Sequence, residues 1–346
     1  MEQIAIIGKY NTEDGVADGQ AVKTQILVRE IERAFGKDAV LRINTFNWKK
    51  APIALFAKSL MAVRKCDNVI FMTDEGGIKV FPWLLNASNL FGKCKLHYVV
   101  VGGWLVNFLN KNSFITANLK RFDGIYVETR AMKSGLEKMG FANVYLMPNC
   151  KDLQLLSEAE LICSHEAPYK LCTFSRVMEE KGIADAVNAV KAVNAHFGKS
   201  MYTLDIYGQV DPRQTEWFEK LSASFPPEIR YCGIVPYDRS VETVKDYFTL
   251  LFPTKFYTEG IPGTIIDAYA AGVPVIASEW ENYADIVDSG VTGISYPFLQ
   301  QECLKDILIE MADAPERILA MKKQCLIRAR DYLPENTLGI LFEAVS

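Results

Sequence analysis

Short apolar runs alternate with helix-like segments along the whole chain, and this alternation begins a second time near the middle. The runs are Ile4–Ile7, Val69–Thr73, Leu96–Val101, Gly124–Glu128, Lys170–Ser175, Thr203–Tyr207, Tyr247–Pro253 and Pro274–Ser278. Strands joined by crossover helices form parallel sheets that are covered by helices on both faces. The sequence therefore predicts an α/β protein with two doubly wound, Rossmann-like domains that face each other across a cleft.

The length of the chain and a polar segment near its middle predict where the domains divide. A chain of 346 residues is normal for two domains of about 150 residues each. Pro148–Asp152 and the polar stretch that follows it separate the two series of apolar runs. We expect a first domain at residues 1–150, a second at 151–330, and a C-terminal helix at 331–346 that returns toward the first domain.

Charge is distributed unevenly between the two halves. Residues 1–150 contain 20 Lys and Arg against 13 Asp and Glu, a net charge of +7. Residues 151–346 contain 18 against 29, a net charge of −11. The basic half favours an anionic partner, such as a phosphate-bearing acceptor or an acidic lipid surface; a solvated surface with no partner is the alternative. Nucleic acid is not expected, because the basic residues do not form tracts with interleaved aromatics.

Several familiar sites and targeting segments are missing from the sequence. The eight cysteines form no Cys-x-x-Cys, and no Asp-x-Asp occurs, so we expect reduced thiols and no metal site. The N-terminal residues lack the basic start and long apolar stretch of a signal peptide, and no apolar run is long enough to span a bilayer. We therefore expect a cytoplasmic protein, with peripheral contact at the inner face of the membrane as a further option.

Two carboxylates, Glu259 and Asp267, lie eight positions apart around a Gly/Thr turn that is expected to begin a short helix. We expect Thr264 to be the N-cap and Gly272 to end this helix, with Asp267 one turn inside it and facing the same opening as Glu259. Carboxylates accept hydrogen bonds from hydroxyl groups, and the free N–H groups of a helix start bind anions. The pattern predicts a nucleotide sugar as ligand. The alternative is that Asp267 only interacts favourably with the dipole of the helix and that Glu259 is an ordinary loop residue.

Two cations follow the first strand of the second half. Arg176 ends the run Lys170–Ser175, and Lys181 comes five residues later, just before a predicted helix. Two such cations at the end of a strand can neutralise a diphosphate without a metal ion. Because Glu179 and Glu180 lie between them, a charged surface loop of no special function is the alternative.

The order of these motifs resembles the retaining glycosyltransferases of family 4, which have the GT-B fold. The resemblance rests on Arg-x4-Lys-Gly at Arg176, on Leu204–Gly208, on Glu-x7-Asp at Glu259, and on Asp285-Ile-Val before Thr292-Gly. In the first half, Gly15–Gln20 stands in place of a glycine-rich loop, and Asp123–Val127 and Pro148-Asn149 fit the family's pattern before the hinge. The resemblance covers nearly the whole chain and is more specific in the second half.

The resemblance implies a role for each candidate side chain. Arg176 and Lys181 would hold the diphosphate of a UDP- or GDP-sugar and stabilise the leaving phosphate. Glu259 would contact hydroxyl groups of the transferred sugar, and Asp267, in the position of the family's second Glu, would bind the ribose. No protein nucleophile is assigned in this family, so catalysis would depend on positioning and electrostatic stabilisation.

The resemblance also implies contacts from the backbone. Amide groups near the helix start would bind the phosphate or the sugar, namely those of Gly260, Ile261, Gly263 and Thr264. The first-domain loop with Gly15 and Gly19 would close over the donor. The first domain would bind the acceptor, a saccharide or a lipid-linked molecule, and the second domain the donor.

Three features depart from the family's pattern. Asp267 is one methylene shorter than the family's Glu, and Pro262, where the family often has Gly, has no N–H to donate. The family often has a His after a central first-domain strand, where this chain has Gly102-Gly103-Trp104. Gly103 would let the backbone approach the ligand and Trp104 would stack on a sugar; a core or lipid-facing Trp104 is the alternative. His97, placed before that strand, is expected to be structural.

The sequence thus predicts a retaining, metal-independent glycosyltransferase of bacterial surface polysaccharide or glycolipid biosynthesis. A catalytically inactive nucleotide-sugar-binding subunit is the main alternative, and an epimerase or a phosphorylase on the same architecture also stays open. A dehydrogenase would need Gly-x-Gly-x-x-Gly after Ile4–Ile7, and the sequence lacks it. The apolar segment Lys50–Lys65, with its basic flanks, is expected either to contact an acidic membrane or to be a buried helix.

Overall fold

The chain folds into two compact units, each built on its own parallel sheet. A computed structural model describes residues 3–10, 19–46 and 50–346. One unit contains the residues up to Asp152 together with Tyr332–Ser346, and the other contains Leu153–Asp331. Within the described part of the chain, none of the helices has both the length and the apolar character needed to cross a membrane.

The first unit contains a parallel sheet of six strands. The strands are β1 (Ile4–Gly8), β2 (Val40–Asn44), β3 (Asn68–Phe71), β4 (Lys95–Val99), β5 (Gly124–Val127) and β6 (Val144–Leu146). Their order in the sheet is β2-β1-β3-β4-β5-β6. The central strands β1, β3 and β5 are buried along their whole length, as expected for strands with helices on both faces.

Helices cover this sheet between successive strands. They are α1 (Gly19–Phe35), α2 (Pro52–Lys65), α3 (Glu75–Ile78), α4 (Phe81–Ser88), α5 (Leu105–Leu109), α6 (Ser113–Leu119) and α7 (Arg130–Lys138). Buried residues of α2 to α7 form one apolar cluster with the sheet, and buried residues of α1 belong to a second cluster. The two clusters are the two faces of the sheet.

The second unit repeats this architecture. Its strands are β7 (Tyr169–Phe174), β8 (Tyr202–Tyr207), β9 (Ile229–Gly233), β10 (Thr249–Phe252), β11 (Val275–Ser278) and β12 (Gly293–Tyr296), in the order β12-β11-β10-β7-β8-β9. Its helices are α8 (Ile183–Phe197), α9 (Thr215–Ser222), α10 (Ser240–Val244), α11 (Gly263–Ala270), α12 (Glu302–Asp313) and α13 (Glu316–Ala329). The two helix-covered parallel sheets confirm the predicted α/β class with two Rossmann-like domains.

Helix α8 illustrates how the sequence forms these elements. Ile183, Val187, Val190 and Val193 recur at spacings of three and four, which predicts one apolar helix face, and all four are fully buried. Each contributes about 1.5–3 kcal/mol through burial. The helix ends at Gly198, whose positive φ of 61° closes it.

Strands β2, β6 and β9 are not among the predicted apolar runs. β2 and β6 are the edges of the first sheet, and β9 is an edge of the second. Each has several partly or fully exposed residues. An edge strand needs fewer apolar residues than a central one, so the apolar pattern is weak there.

The last two helices belong to the first unit. They are α14 (Pro334–Thr337) and α15 (Gly339–Val345). Leu338, between these helices, and Leu341 and Val345 of α15 join the apolar cluster that contains α1. The Asn68 side chain donates to the Val345 carbonyl at 3.1 Å, which ties the end of α15 to the start of β3.

Candidate functional site

The candidate site of the second unit lies at the carboxyl ends of two neighbouring strands. β10 pairs with β7 in parallel, so both strands end at the same edge of the sheet. Arg176 and Lys181 follow β7, and Glu259 follows β10. The carboxyl edge of a doubly wound sheet is where such folds bind ligands. The topology therefore brings together residues that lie far apart in the sequence.

Lys181 and Glu259 form an ion pair at this edge. The Lys181 ammonium contacts Oε1 of Glu259, and both side chains are mostly buried. The Thr254 hydroxyl donates to the same oxygen at 3.2 Å, and the Asn282 side chain donates to the Glu259 carbonyl at 2.6 Å. Both the carboxylate and the backbone of Glu259 are thus held in place, as a preorganised contact requires.

The backbone and two aromatic rings place the Lys181 ammonium. Gly182 follows Lys181 with a φ of 70°, and a Cβ there would lie 1.9 Å from the carbonyl oxygen of Pro253. No side chain fits at this position, so glycine lets the Lys181 turn pack directly against the end of β10. The Lys181 ammonium lies 5.7 Å from the ring centroid of Phe252 and 5.3 Å from that of Phe256, within cation–π range.

Gln214 holds the turn between the two cations. Residues Glu179–Lys181 form a short 3-10 helix. The Gln214 side chain accepts a hydrogen bond from the Glu179 backbone at 2.6 Å and donates to the Glu180 carboxylate at 2.8 Å. The hydrogen bond from Gln214 lowers the pKa of Glu180. This loop is anchored, and the two glutamates between the cations serve to hold its shape.

Arg176 has a looser environment than Lys181. Its guanidinium lies 3.8 Å from Asp211, and its side chain is half-exposed. Asp211 is bonded more closely by Arg213, whose side chain donates to both carboxylate oxygens at 3.0 and 2.9 Å. Hydrogen bonds from the side chain and backbone of Arg213 hold the pKa of Asp211 well below its usual range. Arg176 therefore keeps an accessible positive charge beside a permanently ionised carboxylate.

The start of helix α11 differs from the prediction. The N-cap is Pro262, not Thr264, and no side chain caps the helix. The Pro262 carbonyl accepts from Ile265 and Ile266 at 3.1 and 3.4 Å, so helical bonding begins before Thr264. The N–H groups of Gly263 and Thr264 belong to the first turn, where a helix supplies no partner.

Thr264 has a buried hydroxyl at this helix start. Its Oγ1 has no hydrogen-bond partner among the described residues. A hydroxyl group can both donate and accept a hydrogen bond. The amides of the first turn and this hydroxyl together suit an anionic or hydroxylated ligand. Gly272 ends the helix with a φ of 65°, as predicted.

Asp267 lies inside α11 and bonds to a neighbouring helix. Its side chain is buried, and the Ser240 hydroxyl of α10 donates to Oδ1 at 2.9 Å. Ser240 therefore fixes one oxygen of the Asp267 carboxylate. Ser240 escaped the sequence analysis because no local pattern links it to a residue 27 positions away. Asn282 and Gln214 were missed for the same reason, whereas Thr254, only five residues before Glu259, belongs to no motif that the sequence analysis used.

The remaining candidates of the second unit are backbone positions beside Glu259. Gly260 and Ile261 are buried directly after it. They continue the loop that leads to the start of α11, which is consistent with a backbone role.

The candidates of the first unit have different surroundings. Gly19 begins α1 and has open space at the position of a Cβ, whereas Gly15 lies outside the described residues. Gly103 is buried, and Trp104 is partly buried against the core of this unit. The Trp104 indole donates to the Val101 carbonyl at 3.0 Å. This contact supports the core role that the sequence left open.

His97 is structural, as predicted, but it lies inside β4 and not before it. It is buried between Asn68, whose Oδ1 lies 3.1 Å from Nε2, and the Tyr126 hydroxyl, 3.2 Å from Nδ1. Burial lowers the pKa of His97 to about 4, so the imidazole is neutral at pH 7. Among the residues that the structure describes, no group of three or more His, Cys, Asp or Glu is arranged to hold a metal ion.

Comparisons with known proteins agree with this geometry. Residues 168–314 match the family model "Glycosyl transferases group 1". The amylovoran biosynthesis glycosyltransferase AmsK of Erwinia amylovora is 21% identical over 187 residues, which are 52% of this chain and 46% of AmsK. The chain thus spans about half the length of this curated relative.

Solved structures share the fold of the whole chain. Alr3699/HepE of Anabaena in complex with UDP is 12% identical with a TM-score of 0.77, and the match covers 99% of both chains. Sucrose-phosphate synthase of Thermosynechococcus elongatus is 14% identical with a TM-score of 0.74, and the match covers 100% of this chain and 99% of that one. The fold is GT-B, and together with the matched family model it supports a GT-B glycosyltransferase.

Proposed function

We propose that the chain is a retaining, metal-independent glycosyltransferase of family 4. It would transfer a sugar from a nucleoside diphosphate sugar to the hydroxyl group of a saccharide or lipid-linked acceptor. The observation that carries this proposal is the Lys181–Glu259 pair at the carboxyl edge of the second sheet. UDP is the first nucleotide to test, because HepE was crystallised with UDP and with UDP-glucose.

The donor's diphosphate would meet the positive charge at this edge. Arg176 keeps an accessible guanidinium, Lys181 lies five residues on, and the first turn of α11 supplies the N–H groups of Gly263 and Thr264. Charged donors and helix amides bind phosphate strongly. The same groups stabilise the negative charge that develops on the leaving phosphate when the glycosidic bond breaks.

Glu259 would bind hydroxyl groups of the transferred sugar through its mostly buried carboxylate. Lys181 and Thr254 already orient that carboxylate. Asp267 would serve the ribose end of the donor, with Ser240 fixing its carboxylate. In this proposal no side chain forms a covalent intermediate, and an oxygen of the leaving phosphate takes the acceptor's proton.

The acceptor would be bound by the first unit, with Gly103 and Trp104 as candidate contacts and with the loop of Gly15 and Gly19 over the donor. We propose a role in surface polysaccharide or glycolipid assembly on the cytoplasmic side. The similarity to AmsK, a protein of amylovoran biosynthesis, supports this setting.

A panel of nucleotides and their sugars tests the proposal directly. A ligand at 100 times its dissociation constant should raise the free energy of unfolding by about 2.7 kcal/mol, which a thermal-shift assay detects. Transfer to acceptors in a lipid extract should then retain the anomeric configuration and continue in EDTA. Inversion would exclude the retaining mechanism, and loss of transfer that Mg²⁺ or Mn²⁺ restores would exclude metal independence.

An inactive nucleotide-sugar-binding subunit is the second candidate. It is favoured by Trp104, whose indole is bonded to its own loop where the family often has a His. Donor binding without consumption of the donor, with every acceptor fraction, would support this alternative over the enzyme.

A further inference from the structure

Three helices of the first unit form one continuous layer on the same face of the sheet. Phe56 of α2 packs edge-to-face on Phe81 of α4, with ring centroids 5.8 Å apart. The Asn86 side chain of α4 donates to the Asn118 carbonyl of α6 at 2.8 Å. We call the outward side of α2, α4 and α6, together with the turn that follows α4, the outer helical face.

Large apolar side chains project from the outer helical face. On α2, Ile53 is 83% exposed and Met61 is half-exposed, and their spacing of eight residues puts both on one side of the helix. Trp83 of α4, Leu90 just after it and Phe114 of α6 are also exposed, and Phe91 is 97% exposed. Six large apolar side chains are thus exposed on three adjacent helices and the turn after α4, and exposed apolar surface concentrated in one region marks an interaction surface.

Cations are frequent in the segment that carries these apolar side chains. Residues 39–122 contain 12 Lys and Arg against three Asp and Glu, a net charge of +9. Lys58, Arg64 and Lys65 are exposed on α2, and Lys93 follows Phe91 closely. Within the ranges that the structure describes, none of these four cations has a carboxylate partner. Their charge is therefore available to an external anion.

We propose that the outer helical face docks on an anionic lipid bilayer. Apolar side chains such as Phe91 enter the boundary between headgroups and acyl chains, and cations of the same segment contact anionic headgroups. Lys and Arg favour this arrangement because their long stems are apolar and their heads stay in water. A second copy of the chain fits less well, since face-to-face pairing would oppose two strongly positive surfaces. The inference is independent of the proposed glycosyl transfer.

Vesicle sedimentation of the full-length chain, without any sugar donor, tests this inference. Vesicles of phosphatidylcholine with phosphatidylglycerol should bind at least about tenfold more protein than vesicles of phosphatidylcholine alone. Added salt should weaken the binding, because it screens charges near the membrane surface. Equal binding to both kinds of vesicle, or none to either, would overturn the inference.

Two double variants separate the apolar and the charged contributions. Phe91→Ser with Phe114→Ser, and Lys58→Glu with Lys93→Glu, should each lower binding to the anionic vesicles by about tenfold or more. The matched controls are Ile327→Ser and Lys199→Glu with Lys220→Glu, which alter exposed residues of the second unit. Wild-type binding by both test variants would overturn the proposal.

Light scattering over a range of protein concentrations tests whether a second copy of the chain binds to this face instead of a membrane. A dimer that the Phe91 and Phe114 substitutions dissociate, together with no vesicle binding, would show self-association and overturn the membrane proposal. Circular dichroism and UDP binding should be unchanged in all variants. Membrane binding can fail while UDP binding and transfer persist, so the two proposals are tested separately.

Discussion

The two units share one architecture but arrange their charges differently. In the second unit, charged side chains lie at the carboxyl ends of the strands, as in the Lys181–Glu259 pair. In the first unit, the Lys23–Glu128 ion pair is buried, while many other cations lie on the outside of the helical layer. A doubly wound fold offers a ligand site at the carboxyl edge of its sheet. The side chains of each unit decide whether that edge or the outer surface is suited to binding.

Removing the buried cation of the first unit should have the largest effect. Lys23 donates to Glu128 at 2.7 Å and to the Val100 carbonyl at 3.2 Å, with both charged side chains buried. Lys23→Met would leave the Glu128 carboxylate without this partner and lower the free energy of unfolding by about 3–5 kcal/mol. Urea unfolding measures this loss. A loss no larger than that of Lys37→Met, an exposed control, would contradict the structural role.

Glu259→Gln should affect chemistry rather than stability. The substitution removes the charge that faces Lys181 and weakens the proposed sugar contact, so kcat/KM should fall by about 10²–10³. Steady-state kinetics with the preferred donor measures it, and circular dichroism confirms the fold. Glu281→Gln, an exposed carboxylate in the same unit, is the matched control. Turnover equal to the wild type would remove Glu259 from the mechanism.

Because His97 is buried, we expect the free energy of unfolding to depend on pH. Its pKa in the folded chain, about 4, lies below the ordinary value of 6.5 because burial disfavours the imidazolium. The unfolded chain binds this proton first, so the stabilisation is complete above pH 6.5 and is lost as the pH falls toward 4. The loss is on the order of 2–3 kcal/mol.

Urea unfolding of the wild type and of His97→Gln between pH 7 and pH 4 measures this contribution. His165 of the second unit also has a pKa lowered to about 4 by burial, so it contributes a similar loss in both proteins. The variant should therefore lose less stability than the wild type. If the free energy of unfolding falls equally with pH in both proteins, His97 is not the source of the pH dependence.

Replacing each of the two arginines beside Asp211 should affect donor binding differently, although the effect is smaller than those above. Arg176→Ala should weaken donor binding by about tenfold, the size of one charge-assisted hydrogen bond. Arg213→Ala should leave the donor's dissociation constant nearly unchanged, because Arg213 is engaged with Asp211. Titration calorimetry with the nucleotide diphosphate compares them. Equal losses in both variants would assign the effect to Asp211 and not to Arg176.

Much of the site could be predicted residue by residue, but not its internal contacts. Arg176, Lys181 and Glu259 were recognisable because each follows an apolar strand in a local pattern. The bond between Lys181 and Glu259 joins residues 78 positions apart, and it depends on the pairing of β7 with β10. The orientation of Asp267 toward Ser240 depends likewise on how α10 packs against α11.

The outer helical face shows the same division. The basic and apolar character of the segment Lys50–Lys65 is visible in the sequence, which left both a buried helix and a membrane contact open. Only the structure shows which side of α2 the sheet covers, and that Phe91 and Phe114 extend the exposed side onto its neighbours.

The sequence by itself determined the alternation of strands and helices, the apolar face of α8 and the glycine that ends α11. Backbone preference and side-chain periodicity act over a few residues, so these features need no distant partner. The tertiary structure alone decided the Lys181–Glu259 contact, the burial of Asp267 and the extent of the outer helical face. Those depend on strand order and helix packing, which bring distant segments together and decide which side chains remain in water.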